Sequence, residues 1–279
     1  MTESGPRRSF GEEGGLLTYG RYLRLPELLG QQVRLADPPV HDEMLFIIVH
    51  QTYELWFKEL LHELTAVRDA MLAATSPDVP AVRAGQDRPV WLALQLLQRV
   101  HIIERLLISQ IDVLETMTPQ DFGEFRSSLA PASGFQSVQF RELEFLSGAK
   151  DPGFVRRFRS LTGDERARLT ERLAEPTLWD AYVDLLAWRG LLVGSDDEIL
   201  AALATVARDR PHHDDLWQLA EDLLTHDELA ALWRARHVQM VERQIGTKSG
   251  TGGSTGAPYL HGRVPLRYYP LLWELRDSL

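Results

Sequence analysis

Three long segments of the sequence carry apolar residues at every third or fourth position, which is the period of an α-helix. The first runs from His41 or Asp42 to about Met71–Ala73, the second from about Val90 to Glu115, and the third from about His213 to Ile245. Helices of ~25–35 residues span ~40–50 Å, long enough to form the walls of a bundle with a cofactor between them. No segment alternates apolar and polar residues over a sustained length. The sequence therefore predicts an all-α, multi-helical bundle.

Shorter helices are predicted in the rest of the chain. Pro119, directly after Thr118, suits the first turn of a helix, and further helices are expected over about 138–146, about 177–189 and the aromatic-rich tail 266–279.

The N-terminal part of the chain divides into two pieces. Residues 1–17 are polar and Gly-rich and are predicted to be a disordered tail, leaving 18–279 as one all-helical domain. Residues 18–30 are rich in apolar side chains, so we expect them to pack on the body of the protein or on a neighbouring subunit. Their aromatic and aliphatic residues include Tyr19, Tyr22 and Leu23.

The composition excludes several classes of function. The 279 residues carry 30 Lys and Arg against 40 Asp and Glu, a formal net charge of -10, which argues against nucleic acid or an anionic membrane as partner. No apolar run approaches the ~18 residues of a membrane span, and no secretory signal is recognisable. The absence of cysteine excludes disulfides, iron–sulfur clusters, thiolate zinc and covalent haem, and it fits a cytoplasmic protein.

His50 directly follows an apolar run in the first long segment. On a helical wheel it shares a face with aromatic residues, among them Phe46 and Tyr53, and lies close to Glu54. It is either a core histidine paired with Glu54 or a polar group in an aromatic-walled pocket. Periodicity does not choose between the two.

His237 lies on an apolar stripe of the third long segment, together with Trp233 and Met240. A histidine in such a position is commonly structural. A neutral imidazole that points inward is also what haem iron needs as an axial ligand, and non-covalent haem needs no cysteine.

Arg126 lies one turn after Phe122 in a short predicted helix with aromatic neighbours. It suits either a ligand carboxylate, which a guanidinium holds with two parallel hydrogen bonds, or an ion pair with an acid of the protein.

The segment 246–256, GTKSGTGGSTG, matches neither a Walker loop nor a dinucleotide fingerprint. It is either a flexible linker or a loop that closes over a substrate, with Thr251 or backbone N–H groups as donors.

Taken in order, these stretches resemble the tryptophan 2,3-dioxygenase family. The resemblance rests on HDEMLFIIVHQTYELWFKELLHEL, SGFQSVQFRELEF and the helix that runs into GTGGSTG, with TYGRYLRLPELL and YYPLLWELR at the two ends. It covers nearly the whole chain from about Tyr19. It implies an all-helical protein that encloses non-covalent haem b, forms homotetramers described as dimers of dimers, and uses O2 as co-substrate.

The resemblance also implies roles for particular residues. His237 corresponds to the axial ligand of the haem iron, and His50 to the histidine that faces the indole N–H and takes part in catalysis. Phe46 corresponds to the aromatic residue that packs on the indole ring, Arg126 to the arginine that binds the substrate carboxylate, and Thr251 to a threonine at the amino-acid end. Tyr19, Tyr22 and Leu23 correspond to a segment lent by a neighbouring subunit.

Phe122 stands where family members have either Tyr or Phe, so one hydrogen bond toward the substrate carboxylate is expected to be missing, leaving more of that task to Arg126.

The implied reaction inserts O2 across the indole C2–C3 bond of L-tryptophan and yields N-formyl-L-kynurenine, in the catabolism of tryptophan by the kynurenine route. Two alternatives stay open from the sequence. One is a family member of secondary metabolism that oxidises a substituted tryptophan, with one oxygen atom inserted. The other is a non-catalytic haem-binding helical protein.

Overall fold

The computed structural model describes residues 17–75, 88–158, 161–253 and 255–279. Residues 1–16 of the predicted disordered tail lie outside these ranges, and Leu17 is exposed. No strand occurs among the described residues, which confirms the prediction of an all-α fold. The helices are α1 (Tyr19–Tyr22), α2 (Leu25–Leu29), α3 (Asp42–Ala74), α4 (Arg88–Leu114), α5 (Pro119–Leu129), α6 (Val138–Ser147), α7 (Pro152–Arg157), α8 (Gly163–Ala174), α9 (Leu178–Trp188), α10 (Asp196–Arg208), α11 (Arg210–Ile245), α12 (Ala257–His261) and α13 (Pro270–Glu274), with short 3₁₀ turns at Gly134–Gln136 and Leu275–Ser278.

The three long helices form the frame of the molecule. Helix α4 packs along both α3 and α11, while α6 and α9 cover α3, and α10 covers α11. Their apolar faces meet in one core whose most buried members include Leu64, Leu97 and Leu223, each with no exposed surface. Burial of such leucines contributes about 1.5–3 kcal/mol each, so packing between the long helices dominates the stability of the frame.

Local signals explain where several helices start and stop. Thr118 caps α5 in a reciprocal pair with Asp121, and the same arrangement, Thr177 with Asp180, starts α9. Helix α11 ends at Gly246, whose φ of 59° is a left-handed conformation that glycine adopts without strain.

The long part of α11 begins where the sequence predicts, whereas the helix predicted for the C-terminal tail is too long. A kink at His213, with φ -132° and ψ 27°, separates a short turn that begins at Arg210, with Pro211 in its first positions, from the long helix that follows. In the C-terminal tail, the residues before Pro270 are not helical. Tyr269 has φ -128° and ψ 67°, outside the helical region that a following proline disfavours, and the α-helix of the tail covers only α13.

Buried polar contacts fix how the long helices lie against each other. His226 of α11 donates from Nδ1 to Glu104 of α4 at 2.7 Å, and its Nε2 lies 2.9 Å from the Ser147 hydroxyl of α6. Burial alone would lower the pKa of His226, but the adjacent Glu104 carboxylate raises it. Tyr53 of α3 donates to the Leu107 carbonyl of α4 at 2.7 Å. These bonds restrain sliding of the helices, because a shift would leave buried polar groups without partners.

The segment 18–30 forms α1 and α2, which pack on each other. Tyr19 and Tyr22 are 75% and 71% exposed, and Leu23 is 39% exposed. A single chain thus leaves this apolar segment largely uncovered. No helix of the described residues has the length and apolar character that crossing a membrane requires.

Candidate active site

A cavity opens between helices α3, α5, α6, α11 and α12. Helices α3 and α11 both line it, and α5 and the loop after α11 contribute further lining residues. The sequence-predicted side chains that line it are His50, Phe122, Arg126, His237 and Thr251. Four stretches that are far apart in the sequence therefore meet at one place.

Two predicted groups stand apart from the lining. Phe46 lies one turn before His50, with ring centroids 4.0 Å apart, and stacks on Phe122 at 5.7 Å, so it supports two lining residues. Tyr19, Tyr22 and Leu23 do not line the cavity of their own chain.

The imidazole of His50 is held in one tautomer. Its Nδ1 lies 2.7 Å from the backbone carbonyl oxygen of Phe46, which can only accept, so Nδ1 carries the proton. Burial lowers the pKa of His50, which keeps the ring neutral. Nε2 is therefore an acceptor, and no described residue donates to it. His50 presents a hydrogen-bond acceptor in an apolar cavity.

The interpretation of His50 as a core histidine paired with Glu54 is wrong. The Glu54 carboxylate accepts from the side-chain amide of Gln139 at 2.8 Å, and the same amide also donates to the Glu54 backbone carbonyl. His50 hydrogen-bonds to Phe46 and not to that acid.

His237 faces the cavity from α11 with its ring parallel to that of Trp233, 5.0 Å away and inclined by only 6°. Burial, with a smaller contribution from His50, lowers the pKa of His237 to about 4. Neither ring nitrogen hydrogen-bonds to any described residue. A neutral imidazole with a free lone pair, fixed by an aromatic neighbour, has the properties of a ligand for haem iron.

Arg126 connects helix α5 to the glycine-rich loop. Its Nη2 donates to the carbonyl oxygen of Ser249, and no described acid forms an ion pair with it. The alternative of an ion pair with the protein is therefore not realised, and the remaining guanidinium donors are free for a ligand.

The glycine-rich loop contacts the segment that follows helix α5. Thr251 donates from its hydroxyl to the carbonyl of Ala132 at 2.6 Å. A Cβ on Gly252 would meet the Cβ of Ser133 at 2.6 Å, and one on Gly256 would meet the backbone oxygen of Lys248 at 2.5 Å. These contacts favour a loop that covers a site over a flexible linker.

Several residues of the cavity escape sequence reasoning. Phe135, Phe140 and Tyr259 supply aromatic walls, while Arg141, Glu144 and Arg263 supply charge. Arg141 and Glu144 lie in the stretch SGFQSVQFRELEF. Their spacing of one helical turn is the only feature of the sequence that points to a pair. Arg263 carries no local signal, because its partner Glu144 precedes it by 119 positions.

Known proteins that are similar to this chain share one family. A family model described as tryptophan 2,3-dioxygenase matches residues 3–190 and 194–279. A protein named tryptophan 2,3-dioxygenase from Nocardioides sp. is 62% identical to this chain, covering 97% of it and 98% of the relative. Proteins of the same name from Herpetosiphon aurantiacus and Caulobacter vibrioides are 41% and 39% identical, each covering 94% of this chain and 98% of the relative. The chain belongs to the tryptophan 2,3-dioxygenase family.

Proposed function

We propose how this dioxygenase, which cleaves the indole C2–C3 bond of L-tryptophan with O2 to give N-formyl-L-kynurenine, uses the residues of its cavity. The observation that carries the assignment is the presence of two neutral histidines, His50 and His237, in the lining of one cavity. Arg126 and Thr251 line the same cavity.

His237 is the proposed axial ligand of non-covalent haem b. Its half-buried, neutral imidazole has no hydrogen-bond partner among the described residues for either nitrogen, and the chain has no cysteine that could attach haem covalently. When bound, the haem supplies the ferrous iron at which O2 is activated. The parallel Trp233 ring restrains the orientation of His237 from the side.

The other residues bind and orient the substrate. Arg126 holds the carboxylate with the guanidinium donors left after its bond to Ser249, and Thr251 lies at the amino-acid end. Phe46, whose ring lies 4.0 Å from that of His50 and 5.7 Å from that of Phe122, packs against the indole ring. Nε2 of His50 accepts the indole N–H. Fixing both ends of the substrate in a cavity closed by the docked loop places the C2–C3 bond and excludes water.

One experiment separates this function from the two alternatives. CO is first added to the ferrous protein, and the visible spectrum is recorded. L-Tryptophan and air are then added, and the mass of the product is measured by mass spectrometry. We expect a haem spectrum and a product heavier by about 32 Da. An increase of about 16 Da would identify mono-oxygenation, and a haem spectrum without turnover would identify a non-catalytic haem protein.

His50→Ala tests the assignment of the distal histidine. The change removes the acceptor for the indole N–H but no proposed haem contact, so we expect kcat/KM for L-tryptophan to fall about tenfold or more while haem content stays at the wild-type level. The measurement is steady-state turnover beside the ratio of Soret to protein absorbance. An inactive protein without haem would contradict the role given to His50.

We further propose that residues 18–279 form one domain, that the enzyme is a homotetramer built as a dimer of dimers, and that it works in the cytoplasm. The exposed Tyr19 and Tyr22 support lending of the N-terminal segment to a neighbouring subunit, since apolar surface of this kind is normally covered. The cysteine-free composition supports the location.

Subunit mixing tests whether the segment acts on a neighbour. Tyr22→Ser and Arg126→Met should each be poorly active alone. Refolded together, they should regain activity, because a mixed pair contains one cavity with an intact Arg126 and an intact Tyr22 from its neighbour. Sedimentation velocity of the wild type gives the oligomeric state. Absence of any recovery in a mixed oligomer would refute lending of the segment.

A further inference from the structure

Two arginines at the α6–α12 side of the cavity share a single acid. Glu144, only 2% exposed, accepts from Nη1 of Arg141 and, at 3.1 Å, from Nη2 of Arg263. The side chains of Arg141 and Arg263 are 8% and 31% exposed. The Nε atom of each arginine is buried and has no hydrogen-bond partner among the described residues. Two guanidiniums thus lie in a low-dielectric site with one neutralising charge and unused donors.

The wider lining of the cavity has the same excess of positive charge. Its charged members are four arginines and two glutamates: Arg126, Arg141, Arg234, Arg263, Glu54 and Glu144. Since burying charge without compensation is costly, this lining is suited to an anionic ligand.

The surroundings of Arg141 prevent water from providing that compensation. Its guanidinium carbon lies 4.8 Å from the ring centroid of Phe154, 5.3 Å from that of Phe135 and 5.4 Å from that of Phe140. The rings hold the guanidinium by cation–π attraction and replace its hydration shell. The fixed orientation matches the planar geometry in which arginine binds a carboxylate.

Other groups of the cavity do not account for this pair. The single carboxylate of the amino-acid substrate is assigned to Arg126. Arg234 also has a buried Nε without a partner, but its Nη1 donates to the Tyr268 hydroxyl and its Nη2 to the Leu266 carbonyl, and the buried Asp227 precedes it by two turns on α11. Arg141 and Arg263 therefore remain as the site for a second carboxylate.

We propose that Arg141 and Arg263 bind a propionate of haem b, and that Glu144 is a positioning residue that holds the two guanidiniums side by side. The inference rests on the proposed presence of haem in this cavity. It assigns the carboxylate edge of the haem to the α6–α12 side of the cavity.

The test compares two haems that differ only in the charge of their propionates. Apoprotein is titrated with haemin and with haemin dimethyl ester, and the two dissociation constants are read from the Soret band. The wild type should bind haemin more tightly than the ester by about tenfold or more, since charge-assisted hydrogen bonds are lost in the ester. Arg141→Met and Arg263→Met should each reduce this preference about tenfold, with little change in affinity for the ester.

Arg68→Met is the matched control. Arg68 is a buried guanidinium, 9% exposed, that pairs with Glu175 and Asp69 and does not line the cavity, so its variant should keep the wild-type preference. Binding of the ester does not depend on the two arginines, so an unchanged affinity for the ester shows that a variant is folded. Should Arg141→Met fail to fold, Arg263→Met decides, because its side chain is partly exposed and its loss disturbs packing less.

The outcomes separate this inference from the proposed function. An unchanged preference for haemin over the ester in a folded Arg263→Met protein, or a wild type that binds both haems equally, would overturn the propionate site while leaving haem binding intact. A wild type that binds neither haem would overturn the proposed cofactor itself. A preference lost in both arginine variants and kept in the Arg68 control would establish the site.

Discussion

Replacement of His237 by glycine should abolish turnover of L-tryptophan, because the proposed iron ligand disappears while the cavity around it remains. The half-buried imidazole stacks on Trp233 and hydrogen-bonds to no described residue, so its removal breaks no hydrogen bond among them. We expect a folded protein whose added haem lacks the spectrum of an imidazole-ligated iron. The measurements are visible absorption of the reconstituted protein and turnover.

Rescue distinguishes lost ligation from lost structure. Free imidazole at millimolar concentration should enter the space vacated by the side chain and restore the ligated spectrum, as it would not in a protein that is merely unfolded. His62→Gly, an exposed histidine on α3, is the control and should bind haem as the wild type does. A His237→Gly protein with unchanged spectrum and turnover would show that another residue holds the iron.

The frame of this fold can be predicted from the sequence because its signals are local. A period of 3.6 residues over more than twenty positions locates α3 and α4 to within one or two residues, and Thr118 and Gly246 mark a start and an end by side-chain and backbone chemistry. The helix predicted for the C-terminal tail is too long, because Pro270 starts α13 and disfavours helical backbone in the residue before it.

The candidate site depends on contacts between distant residues, which periodicity does not contain. A helical wheel shows that His50 and His237 each lie on an apolar face, but it cannot show that the two faces bound one cavity. The same limit explains why Glu54 was a plausible partner for His50: the residues are one turn apart, yet the carboxylate bonds to Gln139, 85 positions away. Resemblance to a family supplied the pairing that local reasoning could not.

The charged residues Arg141 and Glu144 show the limit in another way. Both stand in a helix that also contributes Phe140 and Leu143 to the cavity wall or the core, so pattern alone gives them the appearance of ordinary surface charges. They differ from surface charges because both are buried. The arginine that donates to Glu144, Arg263, follows it by more than a hundred residues in the chain.

Arg126→Lys should lower kcat/KM for L-tryptophan by roughly 30- to 100-fold, although the positive charge is kept. Lysine offers a point charge in place of the planar pair of donors that binds a carboxylate, and it also loses the bond from Nη2 to the Ser249 carbonyl that ties α5 to the loop. Loss of one charge-assisted hydrogen bond corresponds to about 2–3 kcal/mol, which sets this range. Phe122 has no hydroxyl that could donate a hydrogen bond to the substrate carboxylate in place of the lost one.

Substrate analogues assign the loss to the carboxylate. Tryptamine lacks this group, so the wild type should use it poorly and Arg126→Lys should use it almost equally poorly, which makes the ratio of kcat/KM for L-tryptophan over tryptamine the decisive quantity. That ratio should fall with Arg126→Lys and stay constant with Arg157→Lys, a surface arginine paired with Asp151. An equal loss for both substrates would mean that Arg126 acts by holding the loop in place, and the carboxylate would then need a different partner among the cavity arginines.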